Sequence, residues 1–124
     1  MEDIKTSLYE INKYLNKFEW MDFSYEIIDE ECIKIIGSLD LSWEGYHSIE
    51  LLFMEPINIL TLLSEWHKPE ERDFIELAGE EEAKNRLIYI GEGNYHVFKI
   101  NADAYPVAPI LIVAKSIKYR ILKE

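Results

Sequence analysis

Three histidines are the residues of this chain best suited to hold a metal ion. His47, His67 and His96 could supply the nitrogen ligands of a zinc site whose fourth position is open to water. No two of them have the close spacing of a ligand pair, and two follow the alternation of apolar residues in predicted strands. In such a setting a buried, hydrogen-bonded histidine is more common than a metal ligand. We therefore expect no metal site and no cofactor.

Carboxylates and the single thiol offer the other routes to chemistry. Acid–base catalysis by two carboxylates requires both to face one cleft, whereas Asp40, Glu44 and Glu50 lie on the predicted outward side of their strands. Side chains of this kind are expected to be solvated. Cys32 begins a strand with no base beside it, and no nucleotide-binding or nucleophile motif is present. The sequence predicts a protein without catalytic residues, which is not an enzyme.

Aromatic residues near the ends of predicted elements could bind a partner or a ligand. Trp66 lies in a polar, proline-containing stretch, residues 64–71, which is typical of a surface loop. We expect Trp66 to be exposed there and available to a partner, because tryptophan is frequent at interface hot spots. Alternatively, a small barrel could hold an apolar ligand or a metal among Tyr46, His47, Trp66 and His96.

Two strands and a turn, residues 32–56, form the segment around which the chain is organised. Ile33 and Ile35 alternate with polar residues in the first strand, and Ile49, Leu51 and Phe53 do so in the second. This period of two is typical of strands with one buried face. The sequence predicts that the two strands form a hairpin.

One long helix is predicted before this hairpin. Between residues 3 and 21, apolar residues recur at spacings of three and four and so form one stripe: Ile4, Leu8, Ile11, Leu15 and Phe18. Asp3 suits the N-cap position. The pattern predicts an N-terminal helix within residues 1–22 that packs against a sheet.

Residues 24–124 are predicted to form a body rich in strands. A strand begins at Ser24, a short apolar strand follows residue 56, and a final strand at residues 110–122 starts in the middle of a sheet and ends half exposed. About seven or eight strands after one helix indicate a β-dominated α+β fold. The helix is expected to pack on an antiparallel β-sandwich or barrel. No linker or repeat divides the 124 residues, which are therefore expected to form a single domain.

The composition restricts the classes of partner. Thirteen basic and 24 acidic residues give a net charge of −11, and residues 1–62 carry −9 of it. Such a chain repels phosphate backbones, so binding to nucleic acid is not expected. One cysteine excludes an intramolecular disulfide, and no apolar run reaches about 18 residues. The first ten residues have neither the basic nor the apolar region of a secretory leader, so secretion is not expected. A soluble cytoplasmic protein with no membrane contact is predicted.

One segment carries a resemblance to other proteins. Residues 37–53, GSLDLSWEGYHSIELLF, contain a GS-x-D-L-S opening, a Tyr-His pair and an I-E-L-x-F strand. The segment resembles a group of small uncharacterised bacterial proteins that share these features. The resemblance implies a bacterial source and a β-rich fold, and it implies no activity and no functional residue.

Three functions follow from these patterns as alternatives. The first is a non-catalytic acidic protein that sequesters a basic partner, as small immunity proteins do with toxins, because a charge of −11 steers association with a cationic surface. Its expected contact residues are Asp29, Glu30, Glu31, Asp40, Glu44 and Trp66. The second is the ligand or metal pocket at Tyr46, His47, Trp66 and His96. The third is a structural subunit of a homo-oligomer, with residues 110–114 or the helical stripe as its interface.

Overall fold

The computed structural model describes residues 3–40, 47–56, 58–60, 65–69, 73–79, 95–101 and 110–123. These contain one helix, α1 (Ile4–Leu15), and nine strands: β1 (Asp22–Asp29), β2 (Cys32–Ser38), β3 (His47–Met54), β4 (Asn58–Leu60), β5 (Glu65–His67), β6 (Ile75–Leu77), β7 (His96–Ile100), β8 (Ile110–Ala114) and β9 (Ser116–Ile121). No helix within these ranges is long and apolar enough to cross a membrane.

Helix α1 buries the predicted stripe but is shorter than predicted. Leu8, Ile11 and Leu15 are buried, and Asp3 occupies the N-cap position. The helix ends at Leu15 because the next bonds tighten to i→i−3, with the Phe18 N–H donating to the Leu15 carbonyl at 3.1 Å. The chain must then turn within a few residues to place Met21, which is fully buried, in the core. The predicted extension of the helix to residue 21 is therefore wrong.

The first sheet has the strand order β5-β1-β2-β3-β9, and all its pairings are antiparallel. The predicted hairpin is its centre, with Ile33 opposite Phe53 and Ile35 opposite Leu51. These four side chains are buried, so the alternation read from the sequence is confirmed. Residues 41–46, which contain the predicted turn of the hairpin, lie outside the described residues.

The second sheet has the order β4-β8-β7-β6 and is also antiparallel. Residues 110–122 supply a strand to each sheet rather than one continuous strand, because the chain bends at Lys115 between β8 and β9. Strand β8 lies between two neighbours and is buried on both faces, as a central strand should be. The prediction of a central beginning and a half-exposed end is right, and the prediction of a single strand is wrong.

One hydrophobic core joins both sheets and the helix. Phe23 and Phe53 from the first sheet meet Phe98 and Ile112 from the second, and Ile11 of α1 belongs to the same cluster. The helix lies against β9 of one sheet and β6 of the other. The fold is thus a β-dominated α+β sandwich with a packed N-terminal helix, as predicted.

Polar side chains attach the helix to both sheets. The Asn12 Nδ2 donates to the carbonyl of Ile75 at 2.8 Å, and the Ile75 N–H donates to Asn12 Oδ1 at 3.1 Å. The Tyr14 hydroxyl donates to the carbonyl of Lys123 and lies 3.4 Å from the carbonyl oxygen of Ser48. Because these groups are largely withdrawn from water, their hydrogen bonds determine where along the sandwich the helix can lie.

Candidate protein interface

The turn between β1 and β2 exposes three consecutive carboxylates. The strands pair from Asp22 opposite Ser38 to Asp29 opposite Cys32, with an irregularity between Ile27 and Asp29. The Asp29 side chain closes the turn, because its Oδ1 accepts a hydrogen bond from the Glu31 N–H at 2.7 Å. Aspartate often makes this contact in tight turns. Asp29, Glu30 and Glu31 are all exposed. The structure brings together three of the six residues predicted to contact a partner.

Glu55 adds a fourth carboxylate that the sequence analysis did not identify. Its N–H donates to the carbonyl of Glu31 at 2.7 Å, so it follows β3 directly beside the turn. Its backbone has a φ of 50°, which an L-residue adopts at some cost. A glutamate before Pro56 at a strand end was the only signal in the sequence. We call Asp29, Glu30, Glu31 and Glu55 the acidic end of the sandwich.

Exposed apolar side chains lie next to the acidic end. Six large apolar side chains are exposed in the described residues. Three of them, Tyr25, Ile27 and Ile28, are on β1. Tyr25 and Ile27 lie on the same face of β1 as Phe23, since alternate residues share a face. Phe23 is fully buried, whereas Ile27 is 63% exposed. The part of β1 near the turn therefore extends beyond the core, and the apolar side chains on its inner face are exposed to solvent.

The electrostatic environment of the acidic end favours cations and does not activate a nucleophile. Burial raises the pKa of the Cys32 thiol and the Asp29 carboxylate raises it further, against the opposing effect of Lys34 and Lys118. A thiol with a raised pKa remains protonated near neutral pH and is a poor nucleophile. Lys115 Nζ lies 3.6 Å from Glu55 Oε1 and compensates one of the four carboxylates. The arrangement can bind a basic surface, with apolar contacts beside the charges.

Glu50 is buried rather than solvated, contrary to the prediction. It lies on the outer face of the first sheet, opposite Arg120 on β9, and is 8% exposed. Arg120 donates a hydrogen bond to Glu50 Oε1, and Lys34 Nζ lies 3.4 Å from Glu50 Oε2 and 3.5 Å from Glu26 Oε2. Burial alone would raise the pKa of Glu50, but the hydrogen bond from Arg120 and the charge of Lys34 outweigh it and lower the pKa. This network has a structural role in joining four strands.

Asp40, another of the acidic candidates, does not join the acidic end. Asp40 is exposed but follows the other end of β2, about 20 Å along the strand from Cys32. The Asp40 N–H donates to Ser38 Oγ in a local turn. Glu44 lies outside the described residues.

Trp66 is a core residue, so the expectation that it lies exposed on a loop is wrong. It is 2% exposed on β5, opposite Phe23, and its ring stacks on that of Phe23 with 6.0 Å between centroids. Its neighbours Glu65 and His67 are polar, so the sequence offers one apolar residue in a three-residue strand, which is too short to show a period. A partner at the surface would not reach this ring.

The residues predicted for the alternative ligand pocket lie on different elements. His47 begins β3 in the first sheet and His96 begins β7 in the second, each half-buried, while Trp66 is buried and Tyr46 lies outside the described residues. His67 is exposed and hydrogen-bonds Asp22. No group of three or more histidine, cysteine or acidic side chains in the described ranges could hold a metal ion.

The fold itself uses most of the two surfaces suggested for self-association. The β8 strand, Ile110–Ala114, lies between β4 and β7 with all five residues buried. In the helical stripe, Leu8, Ile11 and Leu15 face the core. Both apolar surfaces are used to form the fold itself.

Comparisons of this protein with protein-family models, with curated proteins and with solved structures find no match.

Proposed function

We propose that this is a non-catalytic, acidic binding protein of the bacterial cytoplasm that sequesters a basic protein, in the manner of an immunity protein that inhibits a toxin. The observation that carries the proposal is the acidic end, where four carboxylates adjoin the exposed side chains of Ile27 and Ile28. Neither feature alone is distinctive, since scattered apolar residues and solvated acids are common on protein surfaces. The position of the carboxylates next to exposed apolar side chains supports an interface.

The two kinds of side chain would contribute differently to binding. The carboxylates, with the net charge of −11, would accelerate encounter with a cationic surface and orient it. Burial of an exposed isoleucine contributes on the order of 1 to 2 kcal/mol, and this contribution is insensitive to salt. We therefore expect a complex whose association rate falls with salt, while the apolar contacts mainly limit its dissociation.

The chemistry of the surface also indicates the kind of partner. Carboxylates spaced along a turn can occupy a cationic cleft that otherwise receives nucleic-acid phosphates. A nuclease toxin has such a cleft, and occupation of it by this protein would block the substrate without any chemical step. The resemblance of residues 37–53 to small bacterial proteins agrees with a bacterial setting.

The experiment is a capture from lysate of the source organism with the tagged protein, eluted by steps of increasing salt. We expect recovery of one basic protein that is released as salt screens the interface. The double variant Glu30→Lys, Glu31→Lys should no longer capture this basic protein. The control, Glu19→Lys with Asp73→Lys, has the same change in net charge at exposed positions away from the acidic end and should retain it.

A third variant separates the apolar contribution from the charge. Ile27→Ser with Ile28→Ser leaves the net charge unchanged and should weaken binding of the captured protein at least tenfold through faster dissociation. Recovery of no basic protein, or equal loss in the two charge variants, would contradict the proposed interface.

A further inference from the structure

A second surface of the protein is a groove that is lined in part by lysines. This groove of about 770 Å³ lies between the first turns of α1 and strand β9. Ile4 and Ser7 line it on the helix, and residues 115–119 line it on the strand. The lining includes two lysines in a chain whose net charge is −11.

The strand that forms one side of the groove is at the edge of its sheet. In the part of the chain that the structure describes, β9 follows β3 as the last strand, with Ser116 opposite Met54 and Ile121 opposite Ile49. The Leu122 N–H donates to the Ser48 carbonyl at 2.7 Å, in register with that pairing. Hydrogen bonding alternates along an antiparallel strand, so the N–H and C=O of Ile117 point away from β3, toward the groove.

The side chains define what could lie along this edge. Ile117 faces the core and Lys118, one residue on, is exposed on the other side. Ile4 contributes an apolar surface beside Ile117. Lys115 is at the bend before β9, where its Nζ lies 3.6 Å from Glu55 and remains 45% exposed.

We propose that this groove binds an extended peptide segment of another protein, with acidic and aliphatic residues in alternation, which adds a strand to β9. The aliphatic side chains of such a segment contact Ile4 and Ile117, and the acidic ones reach Lys118. Main-chain hydrogen bonds along a sheet edge supply affinity, and the pattern of alternate side chains supplies specificity. Residues 115–119, at the bend and in β9, line the groove over a length of about 14 Å. The groove meets the acidic end only at Lys115, whose Nζ lies 3.6 Å from Glu55 Oε1, and its other lining residues belong to α1 and β9.

The ligand class can be tested without knowledge of the partner, by selection from a display library of random octapeptides on the folded protein. We expect the enriched peptides to alternate acidic and aliphatic residues. In ¹⁵N-correlated spectra, a synthetic peptide of the enriched sequence should shift the amide signals of Ser7 and of residues 115–119. Enrichment of no peptide, enrichment of basic peptides, or shifts confined to another surface would overturn the proposal.

Two matched controls test the mode of binding. Lys118→Glu should weaken the peptide at least tenfold, whereas Lys13→Glu, with the same change of charge on the exposed side of α1, should leave its affinity unchanged. Two further peptides carry N-methyl groups, one on the odd-numbered amides and one on the even-numbered amides. Only every second amide of an added strand faces β9, so one of the two peptides should lose binding and the other should keep it. Equal affinity of both N-methylated peptides would exclude strand addition. A second copy of this chain as the occupant would appear as a dimer in light scattering, which would also overturn the proposal.

Discussion

At the scale of single residues, Gly37 shows how tightly the centre of the first sheet is packed. A Cβ at this position would lie 2.6 Å from Phe23 Cε1, 2.8 Å from Ile49 Cγ2 and 2.9 Å from Met21 Sδ. All three neighbours are fully buried. A glycine occupies this position in β2 because a side chain here would collide with the core.

Gly37→Ala is expected to lower the free energy of unfolding by about 2 kcal/mol, the usual effect of overpacking a core. Gly79→Ala is the matched control, because Gly79 is exposed and a Cβ there meets no atom within 4 Å. Urea unfolding of both variants checks the prediction. A Gly37→Ala protein as stable as the Gly79→Ala protein would show that the core can relax around the methyl group.

The protonation of Glu50 is coupled to the stability of the folded protein. Its pKa is lowered in the folded protein, so the unfolded chain binds its proton first as the pH falls. The stabilisation is therefore complete above the ordinary pKa of a glutamate and is lost as the pH falls through the lower folded value.

Glu50→Gln should cost about 2 kcal/mol at pH 7, since a charged hydrogen bond to Arg120 is weakened and Lys34 loses its partner. Its stability should then fall less steeply than that of the wild type as the pH is lowered below about 4.5. Glu26→Gln, at the exposed end of the same network, is the control and should follow the wild type. Parallel pH profiles of the wild type and Glu50→Gln, from thermal unfolding, would contradict this role.

At the scale of elements, the helix is held to the second sheet by one amide. Both polar ends of the Asn12 side chain bond the backbone of Ile75, at the start of β6. Strand β6 is short and is the outermost strand of its sheet in the described residues. The amide thus adds two hydrogen bonds to the apolar contacts between the helix and this strand.

Asn12→Ala should reduce the free energy of unfolding by about 2 to 3 kcal/mol, because it leaves a buried N–H and carbonyl of Ile75 without these partners. Asn16→Ala is the control, because Asn16 is an exposed asparagine at the C-cap of the same helix. Hydrogen exchange at the Ile75 amide should increase in the first variant only. Unchanged protection at Ile75 would mean that the apolar contacts suffice.

At the scale of the whole molecule, the net charge of −11 opposes folding through self-repulsion. Salt screens this repulsion, so the melting temperature should rise by a few degrees between about 10 and 200 mM sodium chloride. Glu30→Lys with Glu31→Lys changes the charge from −11 to −7 and should reduce the increase. A melting temperature that falls with salt in calorimetry would instead assign the dominant effect to ion pairs such as Lys34 with Glu50.

The sequence by itself determined the elements whose pattern is long enough to be periodic. The alternation in β2 and β3 and the stripe of α1 predicted which side chains are buried, and with them the α+β class. The three carboxylates of the β1–β2 turn were recognised for the same reason, since a run of charge between two strands has no place in a core. These features are local, because the period of a helix or strand is present in the chain before it folds.

Only the tertiary structure decided where short or isolated residues lie. Trp66 is buried because β5 pairs with β1, and Glu50 is buried because β9 brings Arg120 beside it. Glu55 joins the acidic end because β3 ends beside the turn, and Ile27 is exposed although it shares a face with the buried Phe23. Each outcome depends on contacts between segments distant in sequence. The burial of a single residue follows from what packs against it, and no local period contains that information.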